Sequence, residues 1–252
     1  TGALLDYFPT GSILWVCCLM LMGILLVALT LPEAKPRPHP HDTPAISEIL
    51  RQPRVRAFML ACLAMSAAHG AYYVFYSIHL TANGYSKTEV GILWSLGVVA
   101  EILVFMAMSR LVRQFSLRSI LLVSFAAAVL RFLLMGWAVD SLLLMIFVQV
   151  LHGLTFGSHH AASIAAVNLW FPGKAQGRGQ ALYSSLSFGA GGLLGVLIAG
   201  RTWDDWGAGW SFTLGAAFAL AGFLLIWRWV HDARELLAVN AVSGPKNDGS
   251  MP

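Results

Sequence analysis

Charge is what this sequence has least of. Among 252 residues, 16 are Lys or Arg and 12 are Asp or Glu, together 11%, against roughly 25% in soluble globular domains. A water-soluble globular enzyme is excluded on that ground. Cysteine is also scarce: Cys17, Cys18 and Cys62 all lie in apolar segments. The adjacent pair points to different faces of a helix, so neither a disulfide framework nor a redox CxxC motif is available. Lysine occurs only as Lys35, Lys87, Lys174 and Lys246, all outside the apolar runs, so no retinal Schiff base can form and a light-driven pump is disfavoured. His39 and His41 stand in a Pro-rich stretch. His152 and His159 are two turns apart, about 10.5 Å by helix rise, and no cluster has zinc-ligand spacing. No metal or other cofactor is expected. Nor is an assembled nucleophile and base, and the chain is not read as an enzyme.

What the sequence does have is hydrocarbon. Apolar residues make up 58%, gathered into runs of about twenty, the length that crosses roughly 30 Å of bilayer core. Seven spans are drawn: 12–31, 55–80, 88–111, 117–138, 141–170, 179–200 and 210–230. The expected fold class is an all-α integral membrane protein with seven transmembrane helices. Alternating the loops between two sides puts thirteen Lys and Arg on one side and only Lys87 and Arg201 on the other. The positive-inside rule makes the first side cytoplasmic, with the N-terminus outside and the C-terminus inside. The net charge of +4 is thus accounted for at helix ends, and nucleic acid is not an expected partner. Trp203, Trp206 and Trp210 mark the outer boundary; Trp170, Trp227 and Trp229 mark the inner one.

Four segments follow. Residues 1–31 form an outer loop and the first helix, 32–54 a Pro-rich cytoplasmic linker, 55–232 a six-helix bundle, and 233–252 a disordered cytoplasmic tail. The linker's Pro32, Pro36, Pro38, Pro40, Pro44 and Pro53 cannot continue a helix, which isolates the first span from the other six. The chain begins with Thr1 rather than Met, with no signal-peptide pattern ahead of the first span. That span is expected to be the last helix of a preceding N-terminal half.

An ionisable group at membrane depth is costly and marks function by default. Glu101 lies roughly 20 Å from the outer end of its span. Arg131 and His69 lie about 21 Å from the inner ends of theirs. Glu101 and Arg131, on sequential helices, form a buried ion pair in one reading. In the other, Glu101 exchanges a proton while Arg131 tunes it or meets an anionic substrate. The fifth span carries Gln149, His152, Phe156, His159 and Ser163 at i, i+3, i+7, i+10 and i+14, one polar helical face. His152 either binds substrate, carries a proton, or is a satisfied interhelical group. His79 is expected at the outer interface. Gly153 with Gly157, and Gly191 with Gly195, make GxxxG steps that allow close helix approach.

The stretches His152-Gly-Leu-Thr-Phe-Gly157 with His159, Gln180-Ala-Leu-Tyr183, Gly97-Val-Val-Ala-Glu-Ile102 and Leu130-Arg-Phe132 resemble the phenylpropionate permease group of the Major Facilitator Superfamily, related to lactose-permease-like proton symporters. The resemblance implies a twelve-helix fold of two six-helix halves. This chain would hold the C-terminal six-helix half plus the last helix of the N-terminal half. It also implies proton-coupled uptake of a small organic molecule, an aromatic carboxylate such as 3-phenylpropionate, across the cell inner membrane. A sugar or nucleoside symporter is the alternative, and a seven-helix receptor the alternative of another class. The implied partners are substrate, proton, lipid bilayer and the N-terminal half. His69, Glu101, Gln149, His152, Gln180 and Tyr183 are implied to line the cavity. Arg131, on a more peripheral helix, is implied to pair with Glu101. One departure is the loop Ser109-Arg-Leu-Val-Arg-Gln-Phe-Ser116, which lacks the acid that the superfamily often carries there, so its gating clasp is degenerate.

Overall fold

The computed structural model describes residues 11–31 and 45–231. The Pro-rich stretch with His39 and His41, the segment before residue 11 and the tail beyond 231 lie outside the described residues. Everything regular that is described is helical, and no strand occurs among those residues. Helix α1 spans Ser12–Thr30, and the short α2 spans Ile46–Arg51. Six longer helices follow: α3 Pro53–Ala82, α4 Lys87–Gln114, α5 Leu117–Trp137, α6 Leu142–Trp170, α7 Ala175–Trp206 and α8 Ala208–Trp229. These six are long and apolar enough to cross a membrane, and α1 carries a shorter apolar run, Leu14–Thr30. The protein is a multi-pass membrane protein. The expected spans reappear with ends shifted by at most three residues, except 179–200, which extends to Ala175–Trp206.

Local chemistry fixes where the helices start. Pro53 opens α3 at the one turn where a missing N–H costs nothing. Ser86 caps α4 in a reciprocal box, accepting from the Glu89 amide at 3.2 Å while its own N–H donates to Glu89 Oε2 at 2.8 Å. Ser116 and Ser141 cap α5 and α6 one-sidedly, each hydroxyl accepting from the amide three residues on. Gly207, at φ +84°, makes the left-handed turn between α7 and α8.

Helix α3 is the most enclosed of the six, while α4 and α7 are the most exposed. Helix α8 packs along α5 and α3. Small residues set the closest approaches. A Cβ added to Gly70 would run into the backbone of Gly195, and one added to Gly153 would lie 2.7 Å from the carbonyl oxygen of Ala100. The GxxxG residues Gly153, Gly191 and Gly195 are therefore contact points between backbones, whereas a Cβ on Gly157 would find ordinary room at 3.4 Å.

Two helices depart from α geometry. Gly153–Ser158 in α6 and Ser185–Gly191 in α7 are π-helical. The single polar face expected from Gln149 to Ser163 does not survive this. A π turn holds more residues than an α turn, so positions beyond it are rotated relative to a continuous α-helix. His160, not His159, stacks on Phe156 (5.9 Å, 14°), and His159 turns its edge toward Phe125 on α5. Ser163 faces Cys62 on α3, Oγ to Sγ 3.6 Å. His79, expected at the outer boundary, stands three residues before the end of α3. It is buried, with Nε2 3.1 Å from the Met135 carbonyl oxygen and the rings of Trp203 and Phe212 against it.

Candidate functional site

The deep polar groups converge where α3, α4, α5 and α6 meet. Helix α3 breaks its regular ladder at His69, whose amide N–H reaches the carbonyls of both Met65 and Ser66. Its Nδ1 lies 2.9 Å from the Met65 carbonyl oxygen. A carbonyl only accepts, so Nδ1 carries the proton, and Nε2 is left to accept from Arg131 Nη1 at 3.4 Å. Helix α5 presents Arg131, which is fully enclosed. Its Nε donates to the Val148 carbonyl at 3.0 Å and Nη1 to Thr155 Oγ1 at 3.3 Å. The guanidinium carbon lies 4.2 Å from the centre of the Tyr72 ring, a cation–π contact in a desolvated setting.

Glu101 on α4 meets His152 on α6, Oε1 to Nε2 2.6 Å, with the carboxylate side chain 19% exposed and the imidazole 5%. The pairing of Glu101 with Arg131 is therefore replaced. No ion pair joins those two among the described residues, because Arg131 is held on the α6 side by Val148 and Thr155 while Glu101 is already taken by His152. Gly97 makes this possible, since a Cβ there would press on Gln149 Oε1 at 3.0 Å and on the His152 ring at 3.3 Å. Gln149 is buried and accepts from the Tyr72 hydroxyl at 3.1 Å. His152 Nδ1, Arg131 Nη2 and Gln149 Nε2 are buried without a partner among the described residues. The cluster thus retains hydrogen-bonding capacity that buried groups ordinarily satisfy.

Five of the seven expected residues, His69, Glu101, Arg131, Gln149 and His152, form this cluster. Tyr183 stands beside it. Its hydroxyl is 3.0 Å from His160 Nδ1, and His160 reaches the cluster through Phe156, which is stacked between His160 and His152. Gln180 is not part of it. Its amide donates to Asn168 Oδ1 at 3.0 Å, as Gln176 does at 2.8 Å, tying α7 to the end of α6. Sequence reasoning missed Tyr72, Thr155 and His160. Tyr72 follows His69 by three residues and Thr155 follows His152 by three, a spacing that places each pair on one helical face. His160 was legible only with the π turn in hand.

A cavity of about 30 Å³ opens between α3, α6 and α7 and is lined by His69, Phe156, His159, His160, Tyr183 and Phe188, among others. No group of three His, Cys, Asp or Glu side chains among the described residues is placed to hold a metal ion.

The sequence profile described as the MFS_1 like family matches residues 1–214. The probable 3-phenylpropionic acid transporter of Escherichia coli (strain K12) is 35% identical over 225 residues, 87% of this chain and 59% of that protein. The chain therefore spans less than two thirds of the relative's length. Both matches are to transporters, not to enzymes. A profile that runs through five of the six long helices and takes in the whole polar cluster leaves one assignment: the chain belongs to the MFS_1 like family of the Major Facilitator Superfamily and resembles its phenylpropionate permease group.

Proposed function

We propose that this chain forms the substrate- and proton-handling half of a secondary transporter that takes up a small aromatic carboxylate, such as 3-phenylpropionate, together with a proton. The observation that carries the reading is the Glu101–His152 pair at membrane depth beside an Arg131 that pairs with no carboxylate among the described residues. Arg131 supplies one fixed positive charge in a medium of low dielectric, where an uncompensated charge is expensive. That charge is balanced by one negative group at a time. With the site empty the group is the Glu101 carboxylate, hydrogen-bonded to His152. With an anionic substrate bound it is the substrate carboxylate, and Glu101 then carries a proton. Anion and proton therefore bind together, and each raises the affinity of the other by the same factor.

The printed name of the bacterial relative supports an aromatic acid as the substrate. The reading also assigns the chain to the cell inner membrane, with the Arg110, Arg113 and Arg178 end in the cytoplasm. It gives the chain, as its partner, the rest of an N-terminal six-helix half whose last helix is α1.

Glu101→Gln in the full transporter tests the coupling. Substrate should still bind and exchange across the membrane of reconstituted vesicles, while accumulation driven by an imposed proton gradient disappears. Uphill uptake at the original level in that variant would remove Glu101 from the proton pathway.

A further inference from the structure

The cavity between α3, α6 and α7 is built unlike the polar cluster next to it. Four rings line the cavity. His160 lies parallel to Phe156 (5.9 Å, 14°), Tyr183 is 6.0 Å from His160, and Phe188 meets both His160 and Tyr183 nearly edge-on at 5.8 Å and 6.1 Å. The rings are held in place by contacts of their own. Tyr183 is tied by its hydroxyl to His160 Nδ1, and Phe156 is fixed on its other face by His152 (5.6 Å, 23°). In the same cavity two polar atoms of buried residues have no partner among the described residues: Ser187 Oγ and His159 Nε2. His69, which contacts Arg131, also lines it. The cavity is thus walled by aromatic rings and offers two unpaired hydrogen-bonding groups.

We propose that this cavity is the seat of the transported molecule's aromatic ring, clamped among Phe156, His160, Tyr183 and Phe188, with its polar end toward Ser187, His159 and His69, the residue that contacts Arg131. The inference rests on the reading of the protein as an aromatic-acid transporter and names the subsite that confers the preference for a ring. Aromatic faces and edges of this kind attract another ring through their quadrupoles, beyond simple burial. A carboxylate needs donors. The Ser187 hydroxyl supplies one, and His159 Nε2 supplies another in the tautomer that carries its proton there. A sugar with several hydroxyls would leave most of them unpaired against these walls, which is a steep cost for a buried polar ligand.

Size gives the clamp a moving part. At about 30 Å³ the cavity has room for one or two waters, whereas an apolar cavity of about 150 Å³ is what accepts benzene. Phe188 is the ring able to move: it is 49% exposed, lies in the π-helical stretch Ser185–Gly191, and is followed by Gly189, beside which there is open space. Rotation of Phe188 outward admits the ring, and its return closes an edge on it.

The test is equilibrium binding to the purified full transporter, comparing 3-phenylpropionate with 3-cyclohexylpropionate, which has the same carboxylate and chain but no π-system. The original protein should prefer the aromatic acid by about 3- to 10-fold, the range an aromatic pair supplies. In Phe188→Ala, a change at a half-exposed position, and in Phe156→Leu, the aromatic acid should lose more affinity than the cyclohexyl acid, so that the preference falls to near parity. If both variants keep the full preference, the ring lies elsewhere and this subsite is wrong, while the aromatic-acid reading stands. If neither acid binds and a sugar or nucleoside does, both the subsite and the reading of the substrate are overturned.

Discussion

Arg131 is the one Lys, Arg, Asp or Glu that is buried among the described residues, and its surroundings use the features that separate arginine from lysine. One planar fork serves the Val148 carbonyl and Thr155 together, while its face lies over the Tyr72 ring. A lysine has a single rotatable ammonium, stronger hydration and no flat face. Arg131→Lys keeps the charge and loses the fork, leaving a buried cation with fewer partners, so it should lower stability by about 2–4 kcal/mol. Arg131→Met removes the charge that has to be compensated and should unfold at a higher temperature than the lysine variant, although neither should accumulate substrate. Thermal unfolding of the three proteins in detergent measures the order. A lysine variant as stable as the original would show that the charge alone matters.

At the scale of elements, the contact between α4 and α6 decides whether Glu101 reaches His152. Gly97 and Gly153 allow the two backbones to close, with the hypothetical Gly153 Cβ only 2.7 Å from the Ala100 carbonyl oxygen, a rigid neighbour. Gly153→Ala should therefore push α4 away, cost about 1–3 kcal/mol as overpacking does, and reduce proton-driven uptake by lengthening the 2.6 Å pair. Gly157→Ala, one turn on, meets its neighbours at ordinary contact distance and should leave both stability and uptake close to the original. Equal loss in the two variants would mean that the interface is not set by this approach. The glycines, the spans and the deep polar residues were all legible in the sequence, since each follows from spacing and hydropathy alone. The position of His160 and the partner of Glu101 were not. A continuous 3.6-residue period places His159 on the face of His152, and only the π turn brings His160 there. Sequence neighbours on consecutive helices likewise suggested Glu101 with Arg131. The actual pairing depends on how α4 leans on α6 through Gly97, a tertiary fact that hydropathy does not encode. Gln180 shows the same limit. It is polar and close in sequence to Tyr183, yet it serves a hairpin with Asn168.

For the whole molecule, the two ends of the bundle are chemically different. At one end Arg118 donates to the Trp227 carbonyl at 3.1 Å and Arg54 lies over Trp170 at 5.8 Å. Arg110, Arg113, Lys174, Arg178 and Arg228 stand at the same ends of their helices. At the opposite end Tyr85 donates to the Val139 carbonyl, Trp137 meets Trp210 edge-on, and the basic residues are Lys87 and an Arg201 paired with Asp205 at 2.9 Å. Translocating the first end would mean carrying many cations across the hydrocarbon core, which is why such an end stays in the cytoplasm during insertion. Single cysteines report the orientation directly, in a background where Cys17, Cys18 and Cys62 are replaced. Gly177→Cys is suited to the basic end, because Gly177 is exposed and a Cβ there touches nothing within 4 Å. Asp204→Cys is suited to the other end, at an exposed position. A membrane-impermeant maleimide added to intact cells should label the Asp204→Cys protein and leave the Gly177→Cys protein unlabelled until the membrane is opened. The reverse pattern would invert the topology, placing the Glu101–His152 pair nearer the opposite compartment and reversing the side from which its proton is drawn.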